Sequence, residues 1–122
     1  MKESEIQCEL IKWAKSLEPY YPELCLLNAS LNGIQTTAKI KAMMNAQGMK
    51  KGYPDLFLPV SRIINGNISH GLFIELKTED GRPKKEQVWW NEQLNKQGYV
   101  ALFCHGLDEA KKVICNYLQI RC

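Results

Sequence analysis

The chain has 122 residues, a formal net charge of +3, 45% hydrophobic residues and 24% charged residues. These values are ordinary for a globular protein, so they argue against disorder, collagen and coiled coils, and they suit a single domain over residues 1–122. The apolar runs are far shorter than the roughly 20 residues that a transmembrane helix needs. The first residues lack the apolar segment of an export signal, so we expect a cytoplasmic protein.

The cysteines predict neither a disulfide framework nor a zinc site. They stand at Cys8, Cys25, Cys104, Cys115 and Cys122. No two of them have CxxC spacing, and no histidine lies at zinc-ligand distance from a pair. We therefore expect reduced thiols, in keeping with a reducing compartment. Cys8, Cys104 and Cys115 lie inside apolar patterns, where such a thiol packs as a small hydrophobic group.

The basic residues are unevenly distributed. Four lysines and no acidic residue occur between Lys39 and Lys51, and a second basic cluster of Arg82, Lys84 and Lys85 follows in the chain. Such clusters favour a polyanionic partner. Clusters of this size are also compatible with solvated lysines that only keep a protein soluble.

The first half of the chain predicts two helices and a strand. A capping box at Ser4–Gln7 opens an amphipathic helix that ends before Pro19. The apolar residues 24–27 predict a short buried strand. Residues 36–47 permit a second helix, which Gly48 ends.

The second half predicts a β-hairpin, a helix, a strand and a helix. Strands over 55–60 and 71–77 flank a turn signal at 65–67. A helix follows from Pro83, then an apolar strand over 99–104 that we expect to be central, and a last helix capped by Asp108. The order is α-β-α-β-β-α-β-α, and a right-handed crossover should place the last strand parallel to strand 71–77.

Asp55, Glu75 and Lys77 are the candidate reactive residues. Because side chains alternate along a strand, Glu75 and Lys77 share one face. Carboxylates are hard ligands for Mg²⁺ or Mn²⁺, which can polarise a phosphate and activate a water. Lys77 can orient that water or stabilise charge growing on the phosphorane oxygens. The alternative is a structural ion pair between Lys77 and one of the carboxylates.

The turn of the hairpin decides on which face the Asp55 carboxylate lies. A three-residue loop at 65–67 would place Asp55 opposite Lys77 and on its face. A two-residue turn would place Asp55 opposite Leu76 and turn the carboxylate to the other side of the sheet. The site therefore needs the longer loop or a bulge of equal effect, which Pro59 makes plausible because proline cannot donate to the ladder.

Four segments together carry a resemblance to a known family. They are Gly52-Tyr53-Pro54-Asp55, Glu75-Leu76-Lys77, Gly81-Arg82-Pro83-Lys84-Lys85-Glu86-Gln87, and Trp90, Leu94 and Gly98-Tyr99. With them the chain resembles the VRR-NUC family of the PD-(D/E)XK nuclease superfamily. The resemblance spans nearly the whole chain and is that of a stand-alone, phage-type nuclease domain in a bacterial or phage-infected cell.

The resemblance implies a restriction-endonuclease-like α/β fold, in which helices flank a mixed sheet made of an antiparallel hairpin and a parallel strand. It implies a DNA endonuclease that depends on Mg²⁺ or Mn²⁺ and acts as a homodimer, with no membrane partner and no small-molecule cofactor. Two related sites would suit branched or four-way junction DNA. The alternatives are a catalytically silent DNA-binding module of the same fold and a small α/β interaction protein with an incidental ion pair.

The resemblance also assigns roles to residues. Asp55 and Glu75 would hold the metal, the backbone carbonyl of Leu76 would complete its protein ligands, and Lys77 would be the catalytic lysine. Such sites commonly add an acid from the first helix and a glutamine after the lysine strand. The glutamine would be Gln87, for which plain helix solvation is an equal alternative.

Glu5 and Glu9 compete for the role of the first-helix acid, and both are also ordinary surface helix residues. Candidate nucleic-acid-binding residues are Lys50, Lys51, Tyr53, Arg82, Lys84 and Lys85. Lys84 departs from the family pattern because a small hydroxyl residue is expected there. This departure puts the local phosphate contacts in doubt and leaves the core site intact.

Overall fold

The computed structural model describes residues 1–32 and 34–122. The helices are α1 (Glu3–Leu17), a 3₁₀ helix (Pro22–Leu26), α2 (Ala38–Ala46), α3 (Lys85–Lys96) and α4 (Leu107–Leu118). The strands are β1 (Asn28–Ala29), β2 (Leu56–Leu58), β3 (Arg62–Ile64), β4 (Asn67–Ser69), β5 (Leu72–Lys77) and β6 (Val100–His105). Within these described residues, no helix combines the length and the apolar character that a membrane crossing requires.

Four strands form one sheet in the order β1-β2-β5-β6, while β3 and β4 form a separate two-stranded ribbon. The β1–β2 and β2–β5 pairs are antiparallel, and β6 joins β5 in parallel after the crossover through α3. The predicted mixed sheet flanked by helices is therefore confirmed, including the parallel last strand.

Strand β5 lies inside the sheet, and all six of its residues are buried. Its even-numbered residues join the larger core cluster with α1 and α4, whereas Phe73 joins a smaller cluster with Leu94 of α3. Because side chains alternate along a strand, Glu75 and Lys77 lie on the same face as Phe73, as predicted. The polar end of β5 is thus held between two hydrophobic layers.

The hairpin turn is shorter than the three-residue loop considered above. Ile64 pairs with Asn67, so the turn consists of two residues, Asn65 and Gly66. Both have positive φ, 50° and 83°, which is the geometry of the turn that best fits a twisted hairpin. Without a further irregularity, this register would turn the Asp55 carboxylate away from Glu75.

A bulge at residues 59–61 returns Asp55 to the face of Glu75, although the predicted position of Asp55 opposite Lys77 is wrong. Leu58 pairs with Leu72 and Arg62 pairs with Ser69, so three residues on one strand oppose two on the other. The extra residue follows Leu58, at the proline that cannot donate to the ladder. Continued beyond the Leu56–Ile74 pair, the β2 register places Asp55 opposite Glu75 on the same face. The alternative of a compensating bulge is the correct one.

Strand β6 is an edge strand, and the prediction that it is central is wrong. Its free edge is protected by helix side chains. Asn95 accepts from the Ala101 N–H at 3.0 Å and donates to the Ala101 carbonyl at 3.1 Å, while the His105 N–H donates to Glu109 at 2.5 Å. Such pairing blocks the approach of another strand. The apolar sequence of β6 reflects its cover by helices on both faces instead of strands on both sides.

The strand predicted over residues 24–27 is also wrong. This segment lies mostly in the 3₁₀ helix Pro22–Leu26, and the strand that follows is limited to Asn28–Ala29. Proline is favoured in the first turn of a helix, and of the three residues 24–26 only Leu24 is buried. A run of four apolar residues therefore did not mean a buried strand here.

Two helix starts differ from the predicted caps. Helix α1 begins before the predicted Ser4–Gln7 box, because the Glu5 carboxylate accepts from the Lys2 N–H at 2.9 Å. Helix α4 begins directly after Gly106, whose φ is 95°, so Asp108 lies in the first turn and is not the cap. In both places an acidic residue interacts with the helix N-terminus from within the first turn.

The expectation that all cysteines are reduced is wrong for one pair. Cys115 and Cys122 form a disulfide with a Cα–Cα distance of 6.2 Å. Gln119 adopts φ 59° just after α4 and turns the chain back toward the helix. Cys8 and Cys25 are exposed free thiols, so the expectation that Cys8 packs as a small hydrophobic group is wrong, whereas Cys104 is buried as expected.

Candidate active site

A cavity of about 700 Å³ lies at the carboxyl end of β5. Its walls come from the start of α1, the segment after β1, the loop before β2, the end of β5 and the start of α3. Charged and amide side chains are prominent in the lining, among them Glu3, Asp55, Glu75, Lys77 and Gln87. We call it the strand-end cavity.

Asp55 is fixed between two strands. Its Oδ2 accepts the backbone N–H of Leu76 at 2.7 Å, and its own carbonyl accepts the backbone N–H of Ser30 at 2.8 Å. The Ser30 hydroxyl also donates to the carbonyl of Pro54 at 2.7 Å. These contacts hold the half-buried carboxylate toward the end of β5.

Glu75 is only 4% exposed. Burial raises the pKa of Glu75 to about 10, with a hydrogen bond to Asp55, the charge of Asp55 and a smaller effect of Glu3 as further causes. The charge of Lys77 opposes this rise. Two carboxylates are therefore close together in a poorly solvated place, where ionising both is costly unless a cation joins them.

Lys77 is also 4% exposed. Among residues 1–32 and 34–122, no carboxylate oxygen lies within the 4.0 Å of its Nζ that would define an ion pair. Its backbone is fixed, since its carbonyl accepts the Gly106 N–H at 2.9 Å. The structural ion pair considered as an alternative is thus absent from the described part of the chain, and the ammonium group lines the cavity.

Gln87 lies on the first turn of α3 and is half-buried. Its side-chain oxygen accepts the Lys84 N–H at 2.8 Å, so the oxygen serves to cap the helix. Gln87 lines the cavity, and its side-chain NH₂ group remains able to donate a hydrogen bond there.

The structure does not bring Glu5 to this cavity. Among the described lining residues, α1 contributes Glu3 and Gln7, while the Glu5 carboxylate is directed to the Lys2 amide. Glu9 lies 3.5 Å from the ammonium of Lys12 on the surface. The sequence analysis did not consider Glu3 because it began the helix too late. Glu3 precedes Gln7 by four residues, so the two side chains lie on the same face of α1, beside its buried stripe, and this spacing was the available signal.

The predicted nucleic-acid-binding residues divide into two groups. Tyr53 and Lys84 line the strand-end cavity. The Tyr53 ring packs edge-on against Phe73 and Trp90, with ring centroids 5.7 and 5.0 Å apart. Lys50, Lys51, Arg82 and Lys85 are exposed and lie outside the described lining of this cavity.

The donors at the end of β5 fit a hard divalent cation. The described residues contain no group of three or more His, Cys, Asp and Glu side chains placed to hold a metal. Mg²⁺ keeps several of its waters and is commonly held by one or two carboxylates. Asp55 and Glu75 therefore supply the number and type of ligands that such an ion needs. Burial, and after it the nearby Asp55, raises the pKa of Glu75, and a bound cation would stabilise the charged form of both carboxylates.

Gly52 sets the approach of the loop before β2 to α3. Its φ is 88°, and a Cβ at this position would lie 2.7 Å from the Cβ and the backbone carbon of Glu86. Trp90 adds to this contact by donating its indole N–H to the Lys51 carbonyl at 3.1 Å. The loop that carries Asp55 can therefore pack on the start of α3 only with glycine at this position.

We expect Gly52→Ala to lower the free energy of unfolding by about 2 kcal/mol, because it combines backbone strain with a clash. Gly48→Ala is the matched control, since Gly48 has φ 109° with nothing within 4 Å of the added Cβ. It should cost only about 1 kcal/mol. Urea denaturation measures both variants. Equal losses would mean that the contact with Glu86 does not constrain the loop.

The chain is similar to known proteins in both sequence and structure. The family model for the VRR-NUC domain matches residues 1–108. A solved structure described as a VRR_NUC domain protein superposes with a TM-score of 0.79 and 26% sequence identity, covering 98% of this chain and 90% of that chain. No curated protein sequence matches the chain. The family and the fold predicted from the sequence motifs are both confirmed.

Proposed function

The chain belongs to the VRR-NUC family of nucleases, and on that basis we propose that it is a divalent-metal-dependent endonuclease that hydrolyses phosphodiester bonds in DNA. One observation carries the proposal. Asp55, Glu75 and Lys77 line the same cavity, with the charge of Asp55 acting on Glu75 and the lysine free of an ion pair within the described chain. A purely structural charge cluster would pair the lysine.

Asp55 and Glu75 are the proposed holders of one Mg²⁺ or Mn²⁺ ion, and the backbone carbonyl of Leu76 is proposed as the remaining protein ligand. The bound ion would polarise the scissile phosphate and lower the pKa of a water. The protein contribution is to fix the carboxylates. The Leu76 N–H holds one oxygen of Asp55, and the strand holds Glu75 in a buried position.

Lys77, Gln87 and Glu3 are proposed to act on the water and the phosphate. The Lys77 ammonium can orient the attacking water or stabilise negative charge on the phosphorane oxygens. Gln87 can donate its amide N–H₂ to a phosphate oxygen, and Glu3 replaces Glu5 as the proposed first-helix acid. Water would displace the leaving oxygen directly, so we propose no covalent enzyme intermediate.

The proposed DNA contacts surround this site. Tyr53 and Lys84 would contact the strand in the cavity, and the exposed residues Lys50, Lys51, Arg82 and Lys85 would contact phosphates nearby. One chain carries one site, so we further propose that a homodimer supplies two sites, which suits branched or four-way junction DNA. Light scattering on the purified protein tests the dimer.

The test of the nuclease proposal is a cleavage assay with labelled linear, flapped and four-way DNA. It is run with Mg²⁺, with Mn²⁺ and with EDTA. We expect cleavage in the presence of either metal and none in EDTA. Binding without cleavage under all conditions would instead identify a catalytically silent DNA-binding module.

We expect the double variant Lys50→Ala/Lys51→Ala to bind DNA less tightly, with a salt dependence of log K reduced in slope by about 1 to 2. The slope falls because fewer counterions are released on binding when a phosphate contact is missing. Lys96→Ala, at the other end of α3 from the cavity, is the control and should keep the slope. Fluorescence anisotropy at several salt concentrations measures it. An unchanged slope in the double variant would place these lysines away from the phosphates.

A further inference from the structure

A second cavity of about 380 Å³ adjoins the strand-end cavity. It lies between α2, the segment before α2 and the first turn of α3. The two cavities share part of their lining, including Asn32, Ile34, Gly52, Lys84 and Gln87. A ligand chain that passes the end of β5 can therefore continue into this space, which we call the side cavity.

The side cavity combines an apolar wall with a basic rim. Four apolar side chains line it, namely Leu31, Ile34, Met44 and Met49. The charged lining residues are Lys41, Lys51, Lys84 and Glu86, and the one glutamate lies 3.7 Å from the ammonium of Lys51. The described lining thus carries a net charge of +2 beside an apolar surface whose burial against a ligand is favourable.

Helix α2 is placed to form this wall and does little else in the core. None of its nine residues is buried. Met44 is half-buried and lines the side cavity, whereas its neighbour Met43 is 51% exposed and is not among the described lining residues. Thr37 caps the helix by accepting the Ile40 N–H at 3.2 Å. Methionine side chains adapt to flat, polarizable ligands.

The ligand that matches these features has a flat apolar body, polar edges and an adjacent phosphate. A nucleobase that has left its stack packs between apolar side chains in a pocket, and Asn45 lies in the same lining and offers an amide to its edge. The volume of about 380 Å³ is within the usual range of about 300–1,000 Å³ for ligand pockets. The basic rim would hold the phosphate that joins this nucleotide to the one at the end of β5.

We propose that the side cavity receives one unpaired base of the DNA strand next to the scissile phosphate. This inference rests on the proposed nuclease function and specifies its substrate, since a base within a duplex must first leave its stack to enter. Substrates with unpaired nucleotides, such as flaps and gaps, are then favoured over intact duplex.

The test compares binding of two single strands that carry the same phosphates. One is a fluorescent ten-thymidine oligonucleotide, and the other has ten abasic tetrahydrofuran residues; both are titrated in EDTA so that no cleavage occurs. We expect the wild type to bind the base-bearing strand about tenfold more tightly. The variants Met44→Ala and Met49→Ala should reduce this ratio to about threefold, while Met43→Ala should leave it unchanged.

The controls keep the outcomes distinct. Thermal unfolding of each variant establishes that it is folded, and Asn45→Ala, which changes an exposed lining residue, should also lower the ratio. A wild type without base preference, or equal ratios in the Met43 and Met44 variants, would overturn the proposal. Base preference without any cleavage of flapped DNA would remove the nuclease proposal alone, whereas cleavage without base preference would remove only this one.

Discussion

Glu75→Gln is expected to reduce the rate of DNA cleavage by at least about a thousandfold at saturating Mg²⁺. The amide keeps the volume of the buried side chain but removes the charge that would hold the cation beside Asp55. Because glutamine also avoids a buried charge, the variant should remain folded and should still bind DNA. Initial cleavage rates and DNA affinity are measured on the same preparation.

Two further variants separate the roles of the neighbouring residues. Asp55→Asn keeps an oxygen to accept the Leu76 N–H and loses the charge, and Lys77→Met keeps the length of the side chain and loses the ammonium. Both should also lose about a thousandfold in rate. Lys77→Met should retain its affinity for Mn²⁺, whereas Asp55→Asn should not.

Glu79→Gln is the matched control for this series. Glu79 follows β5 by two residues and is exposed, and it is not among the described residues that line the strand-end cavity. Its cleavage rate should stay within about twofold of the wild type. Cleavage that persists in any of the Asp55, Glu75 or Lys77 variants would remove that residue from the proposed site.

The sequence predicted the fold class well because its strongest signals are local. The alternation in β5 placed Glu75 and Lys77 on one face, and the long spacing between β5 and β6 required a parallel crossover. The position of Asp55 depends on a register that two irregularities determine together. A two-residue turn and a bulge after Leu58 each shift the pairing by one residue in the same direction, so that together they leave Asp55 on the predicted face, and hydrophobic periodicity alone reveals neither shift.

The errors arose where tertiary contacts override local pattern. An apolar strand such as β6 can be partly covered by helices, with Ala101 and Cys104 buried, and still lie at an edge, because Asn95 and Glu109 satisfy its free backbone groups. The prediction for the first helix named Glu5 because the start of a helix is read from sequence only to within a few residues, and a shift of two changes which side chain faces the cavity. Among the described lining residues the structure has Glu3 and not Glu5.

The metal-free protein is expected to lose stability as the pH rises from 5 to 8. Burial and the neighbouring Asp55 raise the pKa of Glu75 from its ordinary value of 4.5 to about 10. Between these pH values the folded chain holds a proton that the unfolded chain has released. Raising the pH therefore favours unfolding, and the stability that the protonated carboxyl contributes is greatest below the unfolded pKa.

Glu75→Gln isolates this effect, because glutamine imitates the protonated carboxyl and does not titrate. In EDTA at pH 8 the free energy of unfolding of the variant should exceed that of the wild type by up to about 5 kcal/mol, and the two should converge near pH 4.5. Mg²⁺ should stabilise the wild type more than the variant, since only the wild type offers both carboxylates. Calorimetric melts from pH 4.5 to 8 measure the difference, with Glu79→Gln as the control that should follow the wild type. Parallel pH profiles for the wild type and Glu75→Gln would mean that Glu75 is already ionised in the folded protein, and that burial does not raise its pKa.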